Sequence, residues 1–257
     1  VLDETASTVI KDLFERRGVK IHTGVAVKEI VPNQEKPGRA GGVRLGSGVE
    51  IPADLVIMAV GVVPRTELVA GTAVKVGKGI VTNQKGETSV PGVYAAGDVA
   101  ETYDFILGVT RPLPIWPKAY HGGRVAGLNM AGRVTENPGD VAMNASHFFG
   151  FPAVSAGIHD PEAVAPSGPR SGEPAEGAGF EILAEKDEAT GYYKKLVLRD
   201  GLIVGMVCLG NAVDRSGIIL GLMKERANVE SFKESIFSRF ALISLPEGLR
   251  KTRTQGR

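Results

Sequence analysis

The spacing of apolar residues near the start of the chain predicts an amphipathic helix. Apolar side chains recur at the intervals of one helix face, at Ala6, Val9, Ile10, Leu13 and Phe14. Asp3 precedes this face as a candidate N-cap, and Gly18 follows it as a candidate C-cap. We therefore expect one helix between Asp3 and Gly18.

Shorter apolar patterns predict strands downstream of this helix. Residues 19–21 and 25–27 alternate between apolar and polar, and the glycine-rich turn at 46–48 joins two further alternating runs as a β-hairpin. Residues 55–60 are apolar throughout, which predicts a strand buried on both faces of a parallel sheet.

The middle of the chain mixes short strands with one longer helix. A hairpin-like stretch is expected at residues 80–82 and a short strand at residues 93–96. Residues 115–131 are expected to form a helix, and Pro114 suits its opening turn.

After about residue 139 the pattern changes to that of a separate α+β domain. Residues 160–179 are dense in Pro, Gly, Ser, Ala and Glu, which predicts an exposed loop. Strands are then expected at residues 180–185, 192–198 and 202–209, with Asp200-Gly201 as a two-residue hairpin turn between the last two. Two helices should follow, one capped by Asp214 and one carrying Phe232, Ile236 and Phe240.

Composition narrows the class of protein. The chain has 257 residues and is 43% hydrophobic, enough for one large domain or two ordinary ones. Lys and Arg number 30 against 29 Asp and Glu, and this balance argues against a dedicated nucleic-acid binder. The single cysteine excludes an internal disulfide and favours the cytoplasm. No apolar run approaches the roughly 20 residues of a membrane span, and the histidine spacing predicts no metal site.

The segment 88–98 carries the clearest candidate chemistry. Pro91-Gly92 makes a turn, and a short strand then leads to Gly97 and Asp98. In α/β sheets ligands bind at the carboxyl edge of the strands, where this carboxylate would accept a hydrogen bond from a sugar-like hydroxyl. The alternative is that Gly97-Asp98 is an ordinary turn.

In its full context, segment 88–98 resembles the second flavin-binding motif of the pyridine nucleotide–disulfide oxidoreductase superfamily. The resemblance implies that Asp98 binds the ribityl chain of FAD and that Gly97 lets the backbone approach the cofactor. It also implies an α/β fold with remnants of two dinucleotide-binding, Rossmann-like domains plus a C-terminal α+β domain.

Two neighbouring segments resemble other motifs of this superfamily. Residues 59–65 are similar to the motif that closes its nicotinamide-binding domain, where Gly61 would let the chain pass close to NAD(P)H; the alternative is a plain exit from a strand. Residues 115–124 resemble the helix whose start, at Ile115 and Trp116, faces the isoalloxazine ring. Trp116 would line that ring or pack in an ordinary core.

Residues 193–205 resemble the C-terminal domain beside the flavin module of nitrite reductase large subunits and related NADH-dependent reductases. The resemblance divides the chain into the C-terminal part of an NAD(P)-binding domain (1–79), the C-terminal segment of an FAD-binding domain (80–138) and an α+β interface domain (139–257).

The superfamily holds its two dinucleotides on G-x-G-x-x-G fingerprints, and the sequence contains neither of them. We therefore expect a fragment, inactive alone, of an enzyme that moves a hydride from NAD(P)H to FAD and then electrons to an unidentified acceptor. Its expected partners are the upstream half of the same protein or a partner subunit, and a second copy bound through the C-terminal domain. The alternative is a non-catalytic scaffold or electron-transfer subunit without its own flavin.

Overall fold

A computed structural model describes residues 2–161 and 179–236 of the chain. These residues form two compact units, one made of Val1–Ile10 with Pro64–Arg257 and the other of Lys11–Val63. Most of the regular structure lies in the first of these units, in two β-sheets and two helices.

The first helix, α1 (Glu4–Glu15), has the caps that the sequence predicts. Asp3 Oδ1 accepts a hydrogen bond of 2.9 Å from the amide of Ala6, as an N-cap does. Gly18 adopts a φ of 80°, which allows the amide of Val19 to bond back to the carbonyl of Phe14.

The unit Lys11–Val63 is built on an antiparallel sheet of three strands in the order β1 (Val27–Pro32), β2 (Ala40–Leu45) and β3 (Glu50–Pro52). The predicted hairpin around residues 46–48 is therefore confirmed as the link between β2 and β3. The strand expected at 19–21 is wrong, because the amide of Val19 already closes the C-cap of α1.

The strand predicted at residues 55–60 does not form in this structure. The side chains of Leu55, Ile57 and Val60 are 75%, 79% and 86% exposed. A strand buried within a parallel sheet needs a hydrogen-bonded neighbour at each edge, and no described strand pairs with this segment. The apolar run therefore lies open to solvent.

The sheet near the middle of the chain combines β4 (Ile80–Val81), β5 (Ala100–Asp104) and β6 (Val109–Pro112), with β4 parallel and β6 antiparallel to β5. The strand predicted at 93–96 is wrong, since a single bridge from Glu87 to Tyr94 is the pairing there. The predicted helix is confirmed as α2 (Trp116–Met130).

The C-terminal part is an antiparallel sheet of five strands in the order β7-β8-β11-β10-β9. These strands are β7 (Met143–Phe148), β8 (Phe151–Gly157), β9 (Phe180–Asp187), β10 (Tyr192–Arg199) and β11 (Leu202–Leu209). The last three strands and the turn at Asp200-Gly201 confirm the sequence prediction. The β7–β8 hairpin was not predicted.

The helix α3 (Ser216–Lys224) packs on β11 and buries Ile219, Leu222 and Met223. Asp214 is not its cap, because a 3₁₀ turn over Gly210–Arg215 leads directly into the helix.

A 3₁₀ turn over Lys233–Ser235 replaces the start of the last predicted helix. Phe240 and most of the predicted loop at 160–179 lie outside the described residues. Within residues 2–161 and 179–236, no helix is both long enough and apolar enough to cross a membrane.

Asp3 also ties the start of the chain to the five-stranded sheet. Its Oδ2 accepts hydrogen bonds from Tyr193 Oη at 2.7 Å and from Lys195 Nζ at 3.0 Å, and all three residues are buried. One carboxylate thus caps α1 and neutralises a buried lysine of β10.

We predict that Asp3→Ala lowers the free energy of unfolding by about 3–5 kcal/mol, because it leaves the Lys195 ammonium buried without its counter-ion. Urea unfolding of the purified chain followed by circular dichroism measures this change. Asp12→Ala removes an exposed carboxylate from the same helix and is the matched control. Equal stability of the two variants would contradict the role given to Asp3.

Candidate functional site

The site is built on a tight turn at residues 97–100. The amide of Ala100 donates to the carbonyl of Gly97 at 3.0 Å, which closes a β-turn with Asp98 at its second position. Gly97 has a φ of 79°, and an added Cβ would meet no atom within 4 Å, so one face of the turn is open. The Asp98 side chain is exposed.

The start of helix α2 lies beside this turn. Ile115 is the N-cap residue, with an extended backbone and no side-chain cap, and Pro117 occupies the first turn. The amides of Trp116 and Lys118 consequently find no acceptor among the described residues. They form a pair of free donors at the positive end of the helix dipole.

Lys118 joins the helix start to the turn. Its Nζ donates to the carbonyl oxygens of Gly97 and Ala100, both at 2.7 Å, and the residue is only 2% exposed. The two acceptors are the two ends of the turn that carries Asp98. The first turn of α2 and this turn are therefore held together by one buried ammonium group.

Burial is the largest influence on Lys118 and lowers its pKa, while the charges of Asp140 and Asp98 act in the opposite direction. No described carboxylate forms an ion pair with its Nζ. The ammonium group is thus a buried charge balanced mainly by backbone carbonyls and by carboxylates farther away.

Beside the turn lies a cleft of about 400 Å³, lined by Gly97, Ala100, Lys118, Gly122 and parts of β5 and of residues 82–86. Thr102 Oγ1 is buried at its wall and has no hydrogen-bond partner in the described part of the chain. An unpartnered hydroxyl costs free energy when it is buried, so the cleft wall is adapted to a polar neighbour.

Helix α2 can approach the turn closely because small residues face each other. A Cβ added at Gly122 would lie 3.6 Å from the Ala96 side chain, and one added at Gly86 would lie 3.3 Å from that of Ala126. Gly86 also has a φ of 74°, which a residue with a side chain rarely adopts.

The structure brings together four of the five residues predicted for cofactor binding: Gly97, Asp98, Ile115 and Trp116. The fifth, Gly61, belongs to the unit Lys11–Val63, where it is exposed and has a φ of 95°. A Cβ added at Gly61 would have no atom within 4 Å. Trp116 is 85% exposed and so does not pack in a core formed by the described residues.

Two residues of the site were missed by the sequence analysis, Lys118 and Thr102. No pattern in the sequence marks either of them. A lysine in the first turn of an amphipathic helix is ordinarily a solvated surface residue, and only the packing of α2 on the turn buries it.

Cys208, the single cysteine, lies near the end of β11 and is fully buried. Burial raises the pKa of its thiol to about 12, against a smaller lowering by Lys194. Burial and the raised pKa both disfavour reaction of this thiol. Over the described ranges, His, Cys, Asp and Glu form no group of three that could hold a metal ion.

Comparison with known proteins identifies the two parts of the chain. Residues 1–123 match the family model of pyridine nucleotide-disulphide oxidoreductases, and residues 171–227 match that of the rubredoxin NAD+ reductase C-terminal domain. The first match contains the turn at Asp98 and the start of α2.

Residues 1–123 belong to the pyridine nucleotide-disulphide oxidoreductase family.

Two relatives from this comparison match almost the whole chain. The nitrite reductase [NAD(P)H] of Bacillus subtilis is 31% identical over 91% of the chain and 26% of its own length. The NADH-dependent phenylglyoxylate dehydrogenase subunit epsilon of Aromatoleum evansii is 30% identical over 96% of the chain and 53% of its own length. The chain thus spans between about a quarter and about half of these relatives.

A solved structure shares the fold of this chain. An FAD-dependent pyridine nucleotide-disulphide oxidoreductase from Desulfovibrio vulgaris superposes with a TM-score of 0.75 at 22% identity, over 91% of this chain and 56% of that one. The predicted fold class, α/β with Rossmann-like relatives, is therefore confirmed.

Members of this family bind FAD and NAD(P)H, and the residues at the turn fit one end of FAD. The exposed Asp98 carboxylate can accept hydrogen bonds from the hydroxyls of a ribityl chain. The free amides of α2 can donate to an electron-rich edge of the ring. The open face at Gly97 leaves room for the cofactor.

We predict that the Cys208 thiol of the native chain does not react with a disulfide reagent such as DTNB at pH 8. The raised pKa leaves almost no thiolate at that pH, and burial blocks access. In urea the thiol regains its ordinary pKa of about 8.5 and should react stoichiometrically. Rapid labelling of the folded protein would contradict the buried position of Cys208.

Proposed function

We propose that the chain is part of a flavoprotein oxidoreductase that transfers a hydride from NAD(P)H to FAD and then passes electrons to a further acceptor. The observation that carries the proposal is the pair of hydrogen bonds by which Lys118 joins the turn that contains Asp98 to the first turn of α2. When bound, FAD supplies the redox chemistry. The protein groups bind and orient it.

In this proposal Asp98 accepts hydrogen bonds from the ribityl hydroxyls, and Gly97 allows the backbone to approach them. Ile115 and Trp116 lie at the start of α2, whose dipole and free amides favour negative charge on the pyrimidine side of the ring. The exposure of Trp116 leaves its indole able to cover part of that ring.

Gly61, in the unit Lys11–Val63, would lie where the chain passes close to bound NAD(P)H. Its left-handed φ and the open space beside its Cα permit a close approach of the backbone to a dinucleotide. No catalytic residue is assigned, and neither NADH nor NADPH is favoured by the described residues.

We propose that the remaining parts of both cofactor sites lie outside this sequence, on the upstream half of the same protein or on a partner subunit. Three facts support this: the chain covers only 26% and 53% of the two relatives' lengths, the sequence lacks a G-x-G-x-x-G fingerprint, and residues 55–60 expose an apolar run suited to strand pairing. The name of one relative, a subunit epsilon, is consistent with a subunit of a complex.

We further propose that the chain divides into domains after residues 79 and 138. We also propose that the protein forms a homodimer through the C-terminal sheet and is located in the cytoplasm. Two-fold dimers are the commonest homo-oligomers, and the free cysteine suits a reducing compartment. Light scattering of the complete protein tests the dimer, and a monomer at all concentrations would remove it.

The colour of the purified protein distinguishes the proposed enzyme from a scaffold that keeps the fold without binding a flavin. The enzyme, purified with its upstream half, should be yellow and bleach on addition of NADH or NADPH under anaerobic conditions. A colourless protein that takes up no added FAD would be the scaffold instead.

We predict that Asp98→Ala weakens FAD binding by the complete protein about ten- to a hundredfold. A hydrogen bond to a charged group contributes about 1.5–3 kcal/mol, which corresponds to this range. Quenching of flavin fluorescence during titration of the apoprotein measures the affinity. Asp214→Ala, which removes an exposed carboxylate near α3, is the control and should bind as the wild type does. Unchanged affinity in Asp98→Ala would exclude Asp98 from the site.

We also predict that the 257-residue chain alone binds neither FAD nor NADH tightly and is not reduced by NADH. Asp98 and the amides of α2 reach one end of FAD, whereas helix N-termini elsewhere hold the pyrophosphates in this family. Titration with FAD followed by NADH measures both properties. Stoichiometric binding and bleaching would mean that the chain holds complete cofactor sites.

A further inference from the structure

Lys118 occupies a position that is unfavourable for stability alone. Its ammonium group is 2% exposed and lies in the first turn of α2, where the helix dipole disfavours a cation. Burial of a charge without an ion pair also carries a desolvation cost. An apolar side chain of similar length would fill the same space without either cost.

We propose that Lys118 is a positioning residue of the flavin site, which holds the Asp98 turn against α2 and supplies a buried positive charge that favours the reduced, more electron-rich state of the flavin. This inference rests on the proposed function and deepens it. It concerns a residue that contacts the protein backbone and acts on the cofactor through the groups it holds.

The positioning role follows from the two hydrogen bonds. Nζ donates to the carbonyls of Gly97 and Ala100, the first and last residues of the turn. These bonds fix the turn relative to the helix to which Lys118 belongs. Without them, Asp98 and the amides of Trp116 and Lys118 would move independently, and their simultaneous contact with one ligand would cost additional ordering entropy.

The charge role follows from burial and from the surroundings. Lys118 is one of the residues that line the cleft, and the two opposing charges that act on its ammonium group, on Asp140 and Asp98, do not form ion pairs with it. An electrostatic interaction is stronger where solvent is excluded. Additional negative charge on a ligand at this site is therefore favoured by the cation and by the helix dipole acting in the same direction.

The test compares Lys118→Met with the wild type in the complete, FAD-loaded protein. The variant keeps the length and apolar volume of the side chain and removes both the donors and the charge. We expect FAD to bind at least tenfold more weakly. We also expect a tenfold smaller preference for reduced over oxidised flavin, which lowers the two-electron midpoint potential by about 30 mV.

Lys118→Gln separates the two roles, because it keeps an N–H donor and loses the charge. It should regain part of the FAD affinity, while its potential should stay as low as that of the Met variant. If Lys118→Met does not fold, the charge role is tested by the flavin midpoint potential of Lys118→Gln alone. A potential equal to that of the wild type would overturn the charge role.

Lys195→Met is the matched control, since Lys195 is also a buried lysine but pairs with Asp3 away from the turn. It should lower the melting temperature and leave the FAD affinity and potential unchanged. If Lys118→Met matches the wild type in both quantities, the inference is overturned and the proposed function survives. If the wild type itself binds no FAD, the proposed function falls and the inference falls with it.

Discussion

A single buried ammonium group, Lys118 Nζ, is the interaction on which the candidate site depends. It connects two segments that are about 20 residues apart in sequence, the turn at 97–100 and the first turn of α2, through two backbone carbonyls. Each segment alone offers only part of the groups that could bind a cofactor. Together they set an exposed carboxylate, open backbone and free amides beside one another.

The stability of the chain comes from elsewhere. The five-stranded sheet and α3 contribute half of the buried apolar side chains of the described residues. The strand β10 of this sheet is buried along almost its whole length. Asp3 joins the start of α1 to that sheet through Tyr193 and Lys195. This division of roles explains how the site can carry a costly buried lysine and an unpartnered Thr102 hydroxyl, because the rest of the fold offsets their cost.

The sequence predicts those elements whose determinants are local. Helix α1 follows from apolar spacing with nearby caps, and the β10–β11 hairpin follows from Asp200-Gly201, whose residues both adopt positive φ. The β7–β8 hairpin was missed because its turn has Phe149 at a φ of 52°, a conformation that an aromatic residue rarely adopts.

Other features depend on tertiary neighbours, which the sequence pattern does not specify. Residues 55–60 have the composition of a buried strand, but a strand forms only where neighbours supply hydrogen bonds, and the described residues supply none. The motif at Asp98 and the start of α2 were both predicted from family resemblance. The link between them was not, since the burial of Lys118 arises from tertiary packing.

The most direct test of the account is a structure of the complete protein with FAD bound. The account predicts that the Asp98 carboxylate lies within hydrogen-bond distance of the ribityl hydroxyls, and that the amides of Trp116 and Lys118 point to the pyrimidine edge of the ring. It also predicts that Lys118 Nζ still bonds to Gly97 and Ala100. A flavin bound elsewhere, with the turn and the start of α2 in contact only with protein, would contradict it.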